Sequence, residues 1–122
     1  MSKRENISSG SPWEDKIGYS RAVKIGNTIE LSGTTAPGDT LEAQTKGIIE
    51  LAKKVLEENG SGLQDVVRTR IFTTDISQWE KIGKVHGSFF GTIKPVTTMV
   101  EISKLIDPDI VIEIEFTAVI TD

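Results

Sequence analysis

The sequence predicts an α+β domain of two layers, with helices packed on one side of a β-sheet. Three observations carry that expectation. The segments Lys94–Glu101 and Ile110–Glu115 read as strands, alternating with the period of two that half-buried strands show. The stretches around residues 45–56 and 79–90 each repeat apolar side chains at three- and four-residue spacing, as amphipathic helices do. Strands and helices follow one another in the order ββαβαββ, with neither an internal repeat nor a low-complexity tract.

The two terminal strands organise the rest. Pro95 opens the first, where a missing N–H does no harm to a ladder. Beyond it Val96, Thr98, Val100 and Ile102 alternate with Thr97, Met99 and Glu101. The second strand sets Ile110, Ile112, Ile114, Phe116 and Ala118 against Val111, Glu113, Glu115 and Thr117. The pattern predicts an apolar face under the helices. It also predicts an opposite face bearing Glu101, Glu113 and Glu115, which meets water, a ligand or another subunit.

Taken in order, residues 1–18 are rich in small and polar types and read as an irregular lead-in. Trp13 stands out there, and its expected place is against the body of the protein or a neighbouring subunit; a pocket lid is the other reading. Tyr19 to Ile25 alternates as a strand, with Tyr19, Arg21, Val23 and Ile25 on one side. Gly26-Asn27 supplies the positive φ values of a tight hairpin, and Thr28–Ser32 returns. Gly33 sits where this strand opens into a loop. A bulge is its plainer reading, and a backbone amide turned to a ligand is the sharper one.

Asp39 or Thr40 caps the next helix, Asp39 and Glu42 having capping-box spacing. Its stripe is Thr45, Ile48, Ile49, Ala52, Val55 and Leu56, and Gly60 stops it. Val66–Thr74 follows as a strand whose Arg68 and Arg70 can pair with the acids of the terminal strand. Asp75 or Ser77 caps a second helix with the stripe Trp79, Ile82, His86, Phe89 and Phe90, and Gly91 ends it. Gly83 and Gly87 inside that helix cost about 1 kcal/mol each against alanine, so another backbone is expected to approach that side. His86 between them reads as a packed or hydrogen-bonded residue before a base.

Composition narrows the chemistry. With 122 residues this is one domain, residues 1–122, of ordinary size. Fourteen basic residues against eighteen acidic, and a pI near 5.0, argue against non-specific binding to nucleic acid or a membrane surface. There is no cysteine and a single histidine, which excludes thiol chemistry and any Cys- or His-rich metal centre. Phosphate loop, dinucleotide fingerprint and Ser/His/Asp constellation are absent. Polar residues follow Met1-Ser2-Lys3-Arg4, and no run reaches membrane-spanning length, so the expectation is a cytoplasmic protein without a signal peptide.

Several dispersed blocks then point one way. They are Gly26-Asn27-Thr28-Ile29 leading to Ser32-Gly33, Asp65-Val66-Val67-Arg68-Thr69, Phe72-Thr73-Thr74-Asp75-Ile76, Phe89-Phe90, Pro95–Glu101 and Ile112-Glu113-Ile114-Glu115. In this order they resemble the YjgF family, also called Rid for reactive intermediate deaminase, from Gly18-Tyr19 to the last strand. The resemblance implies a chorismate-mutase-like domain that assembles as a barrel-cored homotrimer with a small-molecule cleft between subunits. It implies hydrolysis of enamines and imines, such as 2-aminoacrylate and 2-iminopropionate, to 2-keto acids and ammonia without cofactor or metal.

Carried over by position, the family's tyrosine matches Tyr19, its strand-end glycine Gly33, and its water-positioning glutamate Glu113. The arginine that clamps the substrate carboxylate is replaced by Thr97, the cysteine two residues on by Met99, and an asparagine on the second helix by Gly83. A threonine gives one neutral hydrogen bond where arginine gives a bidentate, charge-assisted pair. Arg21, about 7 Å along the strand from Tyr19, is the candidate to supply the missing charge; a surface or interface arginine is the other reading, and Lys94 and Lys104 flank the motif strand.

Three functions are therefore weighed. One is hydrolysis of a small imine, enamine or related labile molecule, with Glu113 positioning water. The second is a trimer that binds a small ligand in the same cleft without turnover. The third, endoribonuclease or translation inhibitor, ranks last on the acidic charge balance.

Overall fold

Four side chains form the floor of the core. Ile112, Ile114, Phe116 and Ala118 are each at most 1% exposed, while Glu113, Glu115 and Thr117 between them are only half-buried. A computed structural model describes residues 3–121, and this terminal strand lies inside a six-stranded sheet. The elements are β1 (Arg4–Ile7), α1 (Pro12–Ile17), β2 (Ala22–Ile25), β3 (Thr28–Thr34), α2 (Leu41–Glu58), β4 (Val66–Thr73), α3 (Trp79–Phe90), β5 (Val96–Glu101) and β6 (Ile112–Val119). The order across the sheet is β1-β2-β3-β6-β4-β5, with only β4 and β5 parallel. The α+β class is as expected.

Helices α2 and α3 cover one face. Ile48, Ile49, Ala52 and Leu56 of α2 and Ile82 and Phe90 of α3 are buried against it, together with Ile29, Leu31 and Ile71 of the sheet. Thr40 caps α2 by accepting from Ala43 N at 3.0 Å, so the Asp39–Glu42 box is not used. The β2–β3 hairpin closes where expected, Ile25 facing Thr28. Gly26 alone takes a positive φ, +58°, and Asn27 does not, which is the pattern of a II′ turn.

The structure departs from the sequence reading in five places. Within the lead-in, residues 4–7 form β1 on the edge of β2 and residues 12–17 form α1; Met1 and Ser2 lie outside the described residues. Ser11 caps α1 with Pro12 at its first position, and Gly18 closes it at φ +88°. Because Tyr19 N still bonds Glu14 O at 3.0 Å, β2 starts only at Ala22, and Tyr19 and Arg21 do not share a strand face. Trp13 does not tuck against the body; it is 59% exposed, with Lys16 Nζ over its ring.

The other two departures concern the far edge. In β5, Thr97, Met99 and Glu101 stand in register with Thr69, Ile71 and Thr73, whose side chains are on the helix-covered face. Val96 and Val100 therefore point to the open face, 55% and 41% exposed, and Glu101 does not join Glu113 and Glu115. Glu101 instead accepts from Ile76 N at 3.0 Å. Gly83 and Gly87 are exposed, and a Cβ at either would meet nothing within 4 Å, so no other backbone among the described residues approaches them.

Candidate functional site

The chemistry gathers in two places, one on each face of the sheet. On the open face β3 carries a bulge, its register with β6 shifting between Leu31 and Thr34. Gly33 lies inside the bulge, and Glu113 of β6 folds its side chain over that backbone. A Cβ on Gly33 would collide with Glu113 Oε2 and stand 2.8 Å from its Cδ. Glycine is what lets the carboxylate lie there.

Arg21 completes this cluster. It follows the turn after α1, and its carbonyl takes Ser32 N at 3.0 Å, which fixes the backbone beside the bulge. Its Nη2 donates to Gly33 O at 2.9 Å, and its Nε is buried without a partner among the described residues. The guanidinium is close enough for its charge to act on Glu113.

Glu113 is unspent. Among the described residues it makes no hydrogen bond or ion pair, whereas its neighbour Glu115 takes Arg70 at 3.8 Å, in the register expected for those strands. Burial raises the Glu113 carboxyl above the ordinary glutamate value; the Glu115 charge adds to this and Arg21 opposes it. Tyr19 is 39% exposed and lines a groove of about 560 Å³ with Glu14, Glu30 and Ser32, the last being the residue before Gly33. Arg21 also lines a second groove of about 400 Å³ with Thr34, Leu51 and Val55.

Thr97 and Met99 lie elsewhere. They are on β5, two strands from Glu113 and on the opposite face, so one chain does not bring them to the Glu113 cluster. Thr97 instead belongs to a hydrogen-bonded chain that reading the sequence did not find. Its Oγ1 is 2.8 Å from Thr69 Oγ1, which is 3.0 Å from His86 Nε2. Thr69 is fully buried, and the His86 ring packs on Phe90 with centroids 4.7 Å apart. Burial lowers the His86 pKa, which favours the neutral imidazole. The three partners are 17 and 28 residues apart, and only the β4–β5 register aligns them. As expected, His86 is packed and hydrogen-bonded.

Among the described residues no group of His, Cys, Asp or Glu is arranged to hold a metal ion, and no helix is long and apolar enough to cross a membrane.

The sequence profile of the endoribonuclease L-PSP family matches residues 13–120. The chain belongs to this family, known also as YjgF/Rid. A protein of Streptomyces coelicolor, itself uncharacterised, is 33% identical over 120 residues, covering 92% of this chain and 89% of that one. A RutC family protein of Pyrococcus abyssi is 38% identical over 106 residues, 80% of this chain and 82% of its own. Among solved structures, a Mycobacterium tuberculosis member of the YjgF/YER057c/UK114 family superposes with a TM-score of 0.94 at 47% identity, over 97% of this chain and 100% of that one. Fold and family are thus those the motif blocks implied.

Proposed function

We propose that this YjgF/Rid member hydrolyses a small imine, enamine or related labile metabolite, with Glu113 as the group that positions and deprotonates the attacking water. One observation carries the reading. Glu113 is a half-buried carboxylate with a raised pKa and no partner among the described residues, held over a glycine backbone that admits no side chain. A carboxylate kept free and partly desolvated is suited to general-base work nearer neutral pH than an exposed glutamate. Water adds to the C=N carbon as Glu113 takes its proton, the nitrogen is protonated, and ammonia leaves as the carbonyl forms. No metal or cofactor enters this scheme.

Arg21 serves as the cation of the cluster. Its charge favours ionised Glu113, and its guanidinium fixes the Gly33 carbonyl. Thr97 and Met99, on the other face of the sheet, serve the same ligand only if a second copy brings its β5 edge to the Glu113 cluster. That requirement, with exposed Val96 and Val100, supports the homotrimer with a cleft between subunits that the family resemblance implies. Where the clamping arginine of the family would stand, Thr97 offers a single neutral hydroxyl, which favours a second reading: a trimer that binds a small ligand without turnover.

The test is release of ammonia and keto acid when purified protein meets freshly generated 2-iminopropionate, beside Thr97→Arg and Glu113→Ala. Turnover by the wild type that disappears in Glu113→Ala supports hydrolysis. An inert wild type with an active Thr97→Arg assigns the cleft to a ligand without a carboxylate. If all three are inert, the binding reading replaces the hydrolytic one.

A further inference from the structure

We propose that Thr97, Thr69 and His86 form a directional hydrogen-bond chain that presents the Thr97 hydroxyl as a donor to an uncharged ligand, through a carbonyl oxygen or imine nitrogen. The inference deepens the reading above by naming the ligand class, and it rests on the same cleft.

Counting protons limits the chain to one direction or the other. Thr69 has one hydroxyl proton and two partners, so it accepts from one and donates to the other. The His86 Nδ1 has no hydrogen-bond acceptor among the described residues, while Nε2 faces Thr69 Oγ1 at 3.0 Å. The two contacts are compatible with either direction, and the proposal places the imidazole proton at Nε2, donated to Thr69, with Thr69 donating to Thr97. That leaves the Thr97 proton for an outside acceptor. Its alternative within the chain is Pro95 O at 3.4 Å, a long contact that holds it weakly.

The same geometry explains the ligand class. Thr97 is exposed on an edge strand, whereas Thr69 behind it is fully buried. A hydroxyl polarised by a second hydroxyl and an imidazole makes a better donor than one alone. The chain carries no net charge while His86 is neutral, so it does not neutralise a carboxylate as a guanidinium would. The expected ligand is an amide, ester or ketone analogue of the small keto acids, or the matching imine.

His86 is the only histidine in the protein, so its two ring nitrogens give unambiguous nitrogen resonances in the intact oligomer. Pyruvamide, uncharged, and pyruvate, charged, are each titrated while those resonances are followed. The result expected is an Nε2–H tautomer in the free protein, a His86 shift on adding pyruvamide, and about tenfold weaker binding of pyruvate. In Thr69→Val the shift vanishes and pyruvamide binding falls about tenfold, as for one lost hydrogen bond. Thr69→Ser, which keeps the hydroxyl, restores both. A failure of the hydrolytic reading is seen separately, in the ammonia assay, because the His86 shift and its dependence on Thr69 are read without turnover. Preference for pyruvate would overturn the proposal and point to Lys94 or Arg21 as a clamp. An unmoved His86 resonance, an Nδ1–H tautomer, or a Thr69→Val variant that binds like the wild type would overturn it as well.

Discussion

Strands β5 and β6 read alike in sequence, yet they present their branched aliphatic side chains to opposite faces of the sheet. In β6, Ile112, Ile114 and Phe116 lie under the helices and Glu113 is on the open face. In β5, Val96 and Val100 are on the open face and Thr97 and Met99 on the helix side. Alternation gives the period of a strand but not which face is inward; neighbours decide that. For β6, central in the sheet, two flanking strands and α2 enforce the choice. Strand β5 pairs only with β4, and Thr97 follows Thr69 to the side where His86 waits. The difference sorts the family's site positions into a half built on Glu113 and a half built on Thr97.

The largest effect should come from Gly33. Gly33→Ala puts a methyl group where Glu113 lies, so hydrolysis should fall about a hundredfold or more, as for a misplaced catalytic group. Folding should survive, since Glu113 can swing into solvent on the open face. Steady-state rates with circular dichroism as a control check this.

The two strands should also differ in stability. Ile114→Ala in β6 removes a fully buried side chain and should cost about 2–5 kcal/mol in a denaturant titration. Val100→Ala in β5 should cost under about 0.5 kcal/mol if that valine faces water. A larger cost that depends on protein concentration would show the β5 face buried between copies.

Acid should separate the halves further. The raised Glu113 pKa means the folded state binds that proton more tightly than the unfolded chain does. Its contribution to stability is therefore best below the unfolded value of about 4.5 and is lost as pH rises through the folded pKa. Hydrolysis, needing the carboxylate, should instead fall as pH drops through the same folded pKa, and Glu113→Gln should remove both dependences. His86 runs the other way. Its lowered pKa gives stability that is present above about 6.5 and lost as pH falls through the folded value.

The smallest effect concerns α3. With nothing within 4 Å of a Cβ at either site, Gly83→Ala and Gly87→Ala should each stabilise by up to about 1 kcal/mol. Destabilisation that grows with dilution would reveal a partner's backbone on that side.

What the sequence made legible follows the strength of its local signals. Helices α2 and α3, the β2–β3 hairpin and β6 rest on periodicity and turn residues within one segment. The first strand did not, because Arg4-Glu5-Asn6-Ile7 has one apolar residue and lies exposed on an edge. Helix α1 is only six residues long, although Ser11-Pro12 followed by Glu14 is a helix-start signal that composition obscured. At the candidate site, Glu113 and Gly33 came from the family pattern, but their collision geometry did not. Alternation in the sequence places Arg21 on a strand face that it does not occupy; it reaches Gly33 from a turn instead. Thr69 ends one of the family blocks but carries no signal of a role at the site, since that role arises only when β4 and β5 are laid in register over α3.

Centrally, Glu113 and Thr97 are proposed to serve one ligand from two different copies. Glu113→Ala and Thr97→Phe variants, each inactive alone, would be co-expressed and the mixed oligomers assayed for imine hydrolysis. Recovery of activity in the mixture is the result predicted, because some clefts then pair an intact Glu113 with an intact Thr97. Mixed oligomers that form but stay inactive would contradict it.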